Sequence, residues 1–234
     1  MYKEPSKNIS CQDCTSSSCL VKKYFTNRIL KEIEHEKETR YYKKEDTIFL
    51  EGDPIVGMNI LMNGVVELFY DVQFNDKEIV RFVEQGDIFG HISIEKETYP
   101  SGAFAKDNSI VCFFGNDTLT KMYGYNPDFA FAIISFFSRS HNKIVLRLMQ
   151  NNQMNLREKV ADALLYLYNM GVDEKKEIKD CFNREDIARL AYTTGEQVSR
   201  QLTDFEKEKI IEKRSRKIAI LAPEKLYKIT HFYF

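Results

Sequence analysis

The stretch "NREDIARLAYTTGEQVSRQLTDFEKEKII", Asn183–Ile211, reads as two helices around a short turn. Asn183 is placed to cap the first helix, which extends to about Ala191, and Thr194 to cap the second, from about Gly195 to Glu208. Ile187, Leu190, Val198, Leu202 and Phe205 recur at helical spacing and face inward. Glu196, Gln197, Ser199, Arg200 and Thr203 fall outward near the start of the second helix. The turn position where glycine is usual holds Tyr192, which implies a strained, positive φ. The following "IIEKRSRKIAIL", Ile210–Leu221, reads as strand, basic turn, strand, the pattern of a wing.

This arrangement has the order of a DNA reader. A recognition helix contacts base edges with its N-terminal residues. Arg200 can grip guanine O6 and N7 with two bonds, Glu196 can accept from cytosine N4, and Ser199 can meet either kind of edge, each good bidentate contact giving about 1–3 kcal/mol of discrimination. Thr194 and Gln197 flank them. Lys207, Lys209, Lys213, Arg214, Arg216 and Lys217 would meet phosphates, which position without specifying. The competing reading is a helical hairpin with a solvated charged face, which predicts no salt-dependent duplex binding.

Upstream, "NLREKVADALLYLYNMG" (Asn155–Gly171) is helical, with Val160, Leu164 and Leu167 on one face and Gly171 as the stop. Before it, "NPDFAFAIISFFSRSHNKIVLRLMQNNQ" (Asn126–Gln153) opens with an Asn cap and a first-turn Pro. Ile133, Phe137, His141, Ile144 and Leu148 form a stripe on one long helix, and no Asp or Glu occurs between Asp128 and Glu158. The stripe could pack on its own domain. It is too long for one small barrel to cover, so a two-fold helix pair and a homodimer are expected. His141 is read as an interfacial residue, not a haem ligand.

From about Arg40 to Asn116, short runs rich in Ile, Val and Phe alternate with Gly52, Gly57, Gly64, Gly86 and Gly90, read as turns between antiparallel strands. A short helix is expected within Asn27–Lys37. Ahead of it "CQDCTSSSC", Cys11–Cys19, gathers three of the five cysteines in a polar segment. In a reducing compartment an odd, clustered set points to metal binding, reactive thiols or burial, not to a disulfide framework. Four thiolates suit an iron–sulfur cubane. Structural zinc usually takes paired Cys-x2-Cys knuckles, and only one such pair exists here. Cys112, in "IVCFF", could be plain buried sulfur, and Cys181, without cysteine neighbours, is read as structural.

The 234 residues carry a net charge of −1, and 43% are apolar, enough for ample core in one or two domains. No apolar h-region opens the chain and no run approaches membrane-spanning length, so a soluble cytoplasmic protein is expected. No Ser/His/Asp set or phosphate loop is visible, and an enzyme is not expected.

A β-roll, a long helix and a winged helix-turn-helix, in that order, resemble the Crp/Fnr superfamily of transcription regulators over nearly the whole chain. Thr194, Glu196, Ser199 and Arg200 match the T-x-E-x-x-S-R of the Fnr (fumarate and nitrate reduction) branch, and "EGD…NG…QGDIFG" resembles its sensor domain. The resemblance implies an α+β fold: a Cys-rich arm over 1–24, a cyclic-nucleotide-binding-like jelly roll as sensor over 25–125, a dimerisation helix over 126–154 and a winged helix-turn-helix over 155–234. It implies a [4Fe–4S] cluster on Cys11, Cys14, Cys19 and Cys112 that senses oxygen or redox state. Double-stranded DNA with two TTGA-type half-sites and RNA polymerase are its implied partners. The third cysteine follows after four residues where the branch has five. A regulator of the same fold sensing nitric oxide, thiol redox or another ligand is the alternative. Cyclic nucleotide is not expected: His91 stands where the nucleotide branch has Glu, and "FGHISIEKETYPSGAF" (Phe89–Phe104) supplies no arginine for the phosphate.

Overall fold

The computed structural model describes residues 8–73, 76–90, 98–171, 177–214 and 217–230. It divides into two compact units, Met1–Ile144 and Val145–Phe234.

The first unit opens with α1 (Leu20–Tyr24) and α2 (Asn27–Glu34). Eight strands follow: β1 (Glu38–Tyr42), β2 (Thr47–Phe49), β3 (Gly57–Asn63), β4 (Val66–Gln73), β5 (Asp76–Val83), β6 (Ile88–Phe89), β7 (Gly102–Ala105) and β8 (Ser109–Gly115). They pair antiparallel in two sheets, ordered β1-β8-β3-β6 and β2-β7-β4-β5. Phe49, Leu61, Leu68, Phe89 and Val111 fill a core drawn from both sheets. On strand β3, Met58, Ile60 and Met62 point the other way, into a second core with Cys112 and Phe114 of β8. α3 (Asn116–Tyr125) and the start of α4 (Pro127–Gln153) close that core with Leu119, Met122, Phe129 and Ile133. Strand β3 is therefore buried on both faces, which is why "MNILM" shows no polar alternation, and even its one polar residue, Asn59, is buried.

Gly52 and Gly86 have φ of 86° and 89° and make the Gly-Asp turns that the sequence anticipates. Gly57 corrects its turn assignment. It lies in β3 opposite Gly115, and a Cβ there would stand 2.2 Å from the Phe114 carbonyl oxygen. Close backbone approach, not a turn, selects glycine.

The second unit contains the end of α4, then α5 (Leu156–Asn169), α6 (Arg184–Leu190), α7 (Gly195–Lys207), β9 (Ile211–Arg214), β10 (Lys217–Ile220) and α8 (Pro223–Thr230). Asn155 caps α5 through a reciprocal pair with Glu158. Within this unit Arg147 lies 3.5 Å from Asp162, donates to the Leu190 carbonyl at 3.3 Å, and stacks 4.2 Å above the Tyr166 ring. It thus ties the last turns of the long helix to α5 and α6. No helix among the described residues is long and apolar enough to cross a membrane. The helices α1, α3 and α8 are absent from the sequence reading.

Candidate cysteine centre and helix-turn-helix surface

The N-terminal arm is fastened to the roll by backbone-directed bonds. Asn8 completes the edge of β1: its Nδ2 donates to the Lys37 carbonyl at 2.9 Å and its Oδ1 accepts from Thr39 N–H at 2.9 Å. Cys11 N–H donates to Glu34 at 2.6 Å, Lys22 Nζ to the Cys14 carbonyl at 2.7 Å, and Ser18 Oγ to the Gln85 carbonyl at 2.8 Å. Cys19 immediately precedes α1. These anchors turn the loop so that Cys11, Cys14 and Cys19 line one cavity with Cys112, which β8 supplies from the roll. Cys181 lies in the other unit, buried.

The cavity measures about 20 Å³ and is also lined by Ser16, Lys22, Lys37 and Met62. It holds roughly one water-sized body, so a larger occupant requires the Ser-rich loop to give way. No three His, Cys, Asp or Glu side chains among the described residues are arranged around a single metal ion. A tetrahedral zinc would need its sulfurs about 3.8 Å apart, given Zn–S bonds of about 2.3 Å; a cluster of several irons accepts a wider set. The buried Ser16 hydroxyl has no hydrogen-bond partner. Four thiols, an orphaned hydroxyl and two lysines form a donor set whose chemistry fits an anionic iron–sulfur cluster.

Burial pushes the Cys112 thiol up to about 12, with Lys37 pulling the other way. Burial also raises Cys11 and Cys19; Lys37 opposes the shift at Cys11, and backbone N–H groups of Lys22 and Val21 oppose it at Cys19. Without a metal these three sulfurs are neutral thiols and poor nucleophiles. Sequence reasoning missed Lys37 and Ser16. A lysine at a helix end and one serine among three carry no signal of burial.

On the helix-turn-helix, Ile187, Leu190, Val198, Leu202 and Phe205 are all buried. Asn183 Oδ1 accepts from the N–H groups of Glu185 and Asp186 at 2.8 and 3.0 Å, and Asp186 Oδ2 accepts from Asn183 N–H at 2.7 Å. Thr194 caps α7 more weakly, accepting from Gln197 N–H at 3.4 Å. Tyr192 has φ 49°, as the missing glycine implied. Glu196, Gln197 and Arg200 are exposed and Ser199 is half-buried. Arg200 is paired with Glu196 at 2.6 Å, one turn away. The Ser199 hydroxyl donates to the Gly195 carbonyl at 2.6 Å.

β9 and β10 pair antiparallel, Ile211 opposite Ile220, and make the wing. Glu177 bridges to Ala219 at its edge. Its carboxylate holds Arg214 at 3.1 Å and Lys217 at 3.2 Å, and Lys217 also meets Asp180 at 2.8 Å. Hydrogen bonds to Asp180 and Glu177 keep the Lys217 ammonium above its ordinary range. The wing cations are therefore partly neutralised within the chain, and phosphates must compete for them. Arg216 and His91 lie outside the described residues.

The apolar stripe of α4 divides. Ile133 is buried in the core of the first unit and Phe137 packs against it. Ile144 is half-buried, and His141 and Leu148 are exposed. Phe131 and Ile134, which the sequence reading did not name, are 67% and 62% exposed, and Val145 is exposed as well. Positions 131, 134, 138, 141, 145 and 148 follow a three–four spacing, the spacing at which helices pair in coiled coils.

Residues 39–126 match the cyclic nucleotide-binding domain family and residues 158–229 the Crp-like helix-turn-helix domain family. The fumarate and nitrate reduction regulatory protein of Vibrio cholerae is 24% identical over 220 residues, covering 91% of this chain and 87% of that protein. Electron transport regulator A of Shewanella oneidensis is 25% identical over 218 residues, covering 91% and 87%. The structure of FixK2 from Bradyrhizobium japonicum superposes with a TM-score of 0.74 at 20% identity, covering 82% of this chain and 96% of that one.

Proposed function

We propose, from the premise that the chain belongs to the Crp/Fnr family of transcription regulators, that this DNA-binding regulator answers to oxygen or redox state through an iron–sulfur cluster on Cys11, Cys14, Cys19 and Cys112. The observation that carries this reading is the shared cavity: three arm thiols and one roll thiol meet at one place. The names of the relatives, an anaerobic regulatory protein of Pasteurella multocida among them, link them to anaerobic metabolism and support the same signal. Bound there, the cluster would supply redox chemistry at iron, with a potential set by net charge, hydrogen bonds and solvent access.

The residues of the chain give the arm a route to the long helix. Cys19 leads into α1, and the α1 carbonyl of Tyr24 accepts from Asn126 Nδ2 at 2.7 Å. The Phe25 ring meets Phe129 edge-on at 4.9 Å. Asn126 in turn caps α4, accepting from Asp128 N–H at 3.0 Å. A shift of the cysteine loop therefore moves the first turns of α4, which carry Phe131 and Ile134. In a homodimer built on that face, such a shift changes the spacing of two recognition helices, and half-sites one turn of DNA apart demand a fixed spacing. Thr194, Glu196, Gln197, Ser199 and Arg200 would read a TTGA-type half-site, while Arg214, Arg216 and Lys217 hold phosphates. RNA polymerase is the expected protein partner. No cyclic nucleotide is assigned to the roll.

The test is anaerobic purification with iron and acid-labile sulfide assays. About four of each per chain, a brown colour that bleaches in air, loss of both in Cys112→Ala and retention in Cys181→Ala are expected. Colourless wild-type protein after reconstitution would turn the reading to a regulator of the same fold that answers to nitric oxide, thiol state or another ligand.

A further inference from the structure

We infer that Lys37 is the built-in counter-charge of the cysteine centre, a positioning residue that stabilises the anionic cluster and sets how readily it is oxidised. The inference rests on the iron–sulfur reading above and deepens it.

Lys37 is among the largest fully buried side chains of the described residues, with 2% of its surface exposed. It sits between α2 and β1, directly beneath the arm. Its Nζ donates to the Ile9 carbonyl and lies 3.7 Å from Cys11 Sγ. Among the described residues no carboxylate pairs with it. Elsewhere in the first unit the internal cations have such partners: Lys106 lies 3.6 Å from the fully buried Glu67, and Arg81 2.8 Å from Asp87. Glu34 and Glu36, the acids nearest to Lys37 in sequence, are engaged otherwise. Glu34 accepts from Cys11 N–H, and Glu36 accepts from Thr118 and Lys121.

A buried ammonium without an anion is costly, and chains keep one where an anion arrives to meet it. Lys37 lines the same cavity as all four sulfurs, which are groups of that potential. It is also the largest opposing charge acting on Cys112 and on Cys11. Four thiolates around a cluster bring net negative charge into an apolar pocket, and one fixed cation offsets part of it. Lys22 is not equivalent. It is only half-buried, and it donates to the Cys14 carbonyl and anchors the loop.

The experiment compares wild type, Lys37→Met and Lys37→Arg after anaerobic reconstitution. Iron and sulfide content, the midpoint potential by spectroelectrochemistry and the rate of bleaching in air are followed, with circular dichroism of the metal-free forms as a folding check. The Met variant keeps the length of the side chain and loses the charge. It is expected to fold, to be reduced at a more negative potential, and to bleach roughly threefold faster or more. The Arg variant is expected to restore the wild-type values in large part. A Met variant that loads and matches wild type in potential and bleaching overturns the inference. So does a loss of loading that Arg does not rescue, because shape and the Ile9 anchor would then explain the residue. A wild-type protein that takes up neither iron nor sulfide overturns the iron–sulfur reading itself, and Lys37 with it.

Discussion

Gly57 and Lys37 show at the scale of single residues what the sequence makes legible. The cysteines are readable because three thiols gathered in nine residues point to metal binding or reactive sulfur. Lys37 is not, because only the folded chain reveals that an ordinary helix-end lysine is enclosed. Gly57 was readable as special but not for its reason. It stands within a strand, and its missing side chain leaves room for the Phe114 carbonyl and the Phe113 ring. Gly57→Ala is expected to lower the stability of the metal-free protein by about 2–3 kcal/mol, since backbone cannot rotate away as a side chain does. Urea unfolding measures this. An unchanged midpoint would mean that β3 and β8 are not held at this separation.

Among elements, the helix-turn-helix was the most legible part, because caps, period and turn all agree on one answer. α3 was missed: "NDTLTKMYGY" mixes Gly and aromatic residues and has no dominant apolar face. The apolar stripe of α4 divides for a different reason. That helix is apolar on more than one side, and periodicity alone does not say which side its own roll occupies. The structure gives Ile133 and Phe137 to the roll and leaves Phe131 and Ile134 outside. The capping bonds also rank the two helices of the DNA-binding motif. Asn183→Ala removes two short bonds to N–H groups and is expected to cost about 1–2 kcal/mol. Thr194→Ala removes one bond of 3.4 Å and is expected to cost less than about 1 kcal/mol. Thermal melts of the two variants, run side by side, check the order. A reversed order would show that the cap of α7 is stronger than its length suggests.

For the whole molecule, the proposed route from the cysteines to DNA depends on how two copies would meet along the exposed face of α4. The helix carries no acid between Asp128 and its end, so two copies brought together along it place no carboxylates against each other. Its exposed seam residues are Phe131, Ile134, Val145 and Leu148, with Ser138 and His141 between. An apolar seam of this length, free of like charge, needs no metal to close. We therefore expect the metal-free protein to sediment largely as a dimer at micromolar concentration, with control exerted mainly on the orientation of the two helices. Ile134→Glu places two carboxylates in the seam while leaving both cores intact. It is expected to give a monomer of unchanged melting temperature that binds a two-fold symmetric duplex about tenfold more weakly or worse, because each half then binds alone. Sedimentation and duplex titration at fixed salt read both effects. A clean metal-free monomer in the wild type would instead make assembly itself the switch, with cluster binding at the arm required before the seam can close.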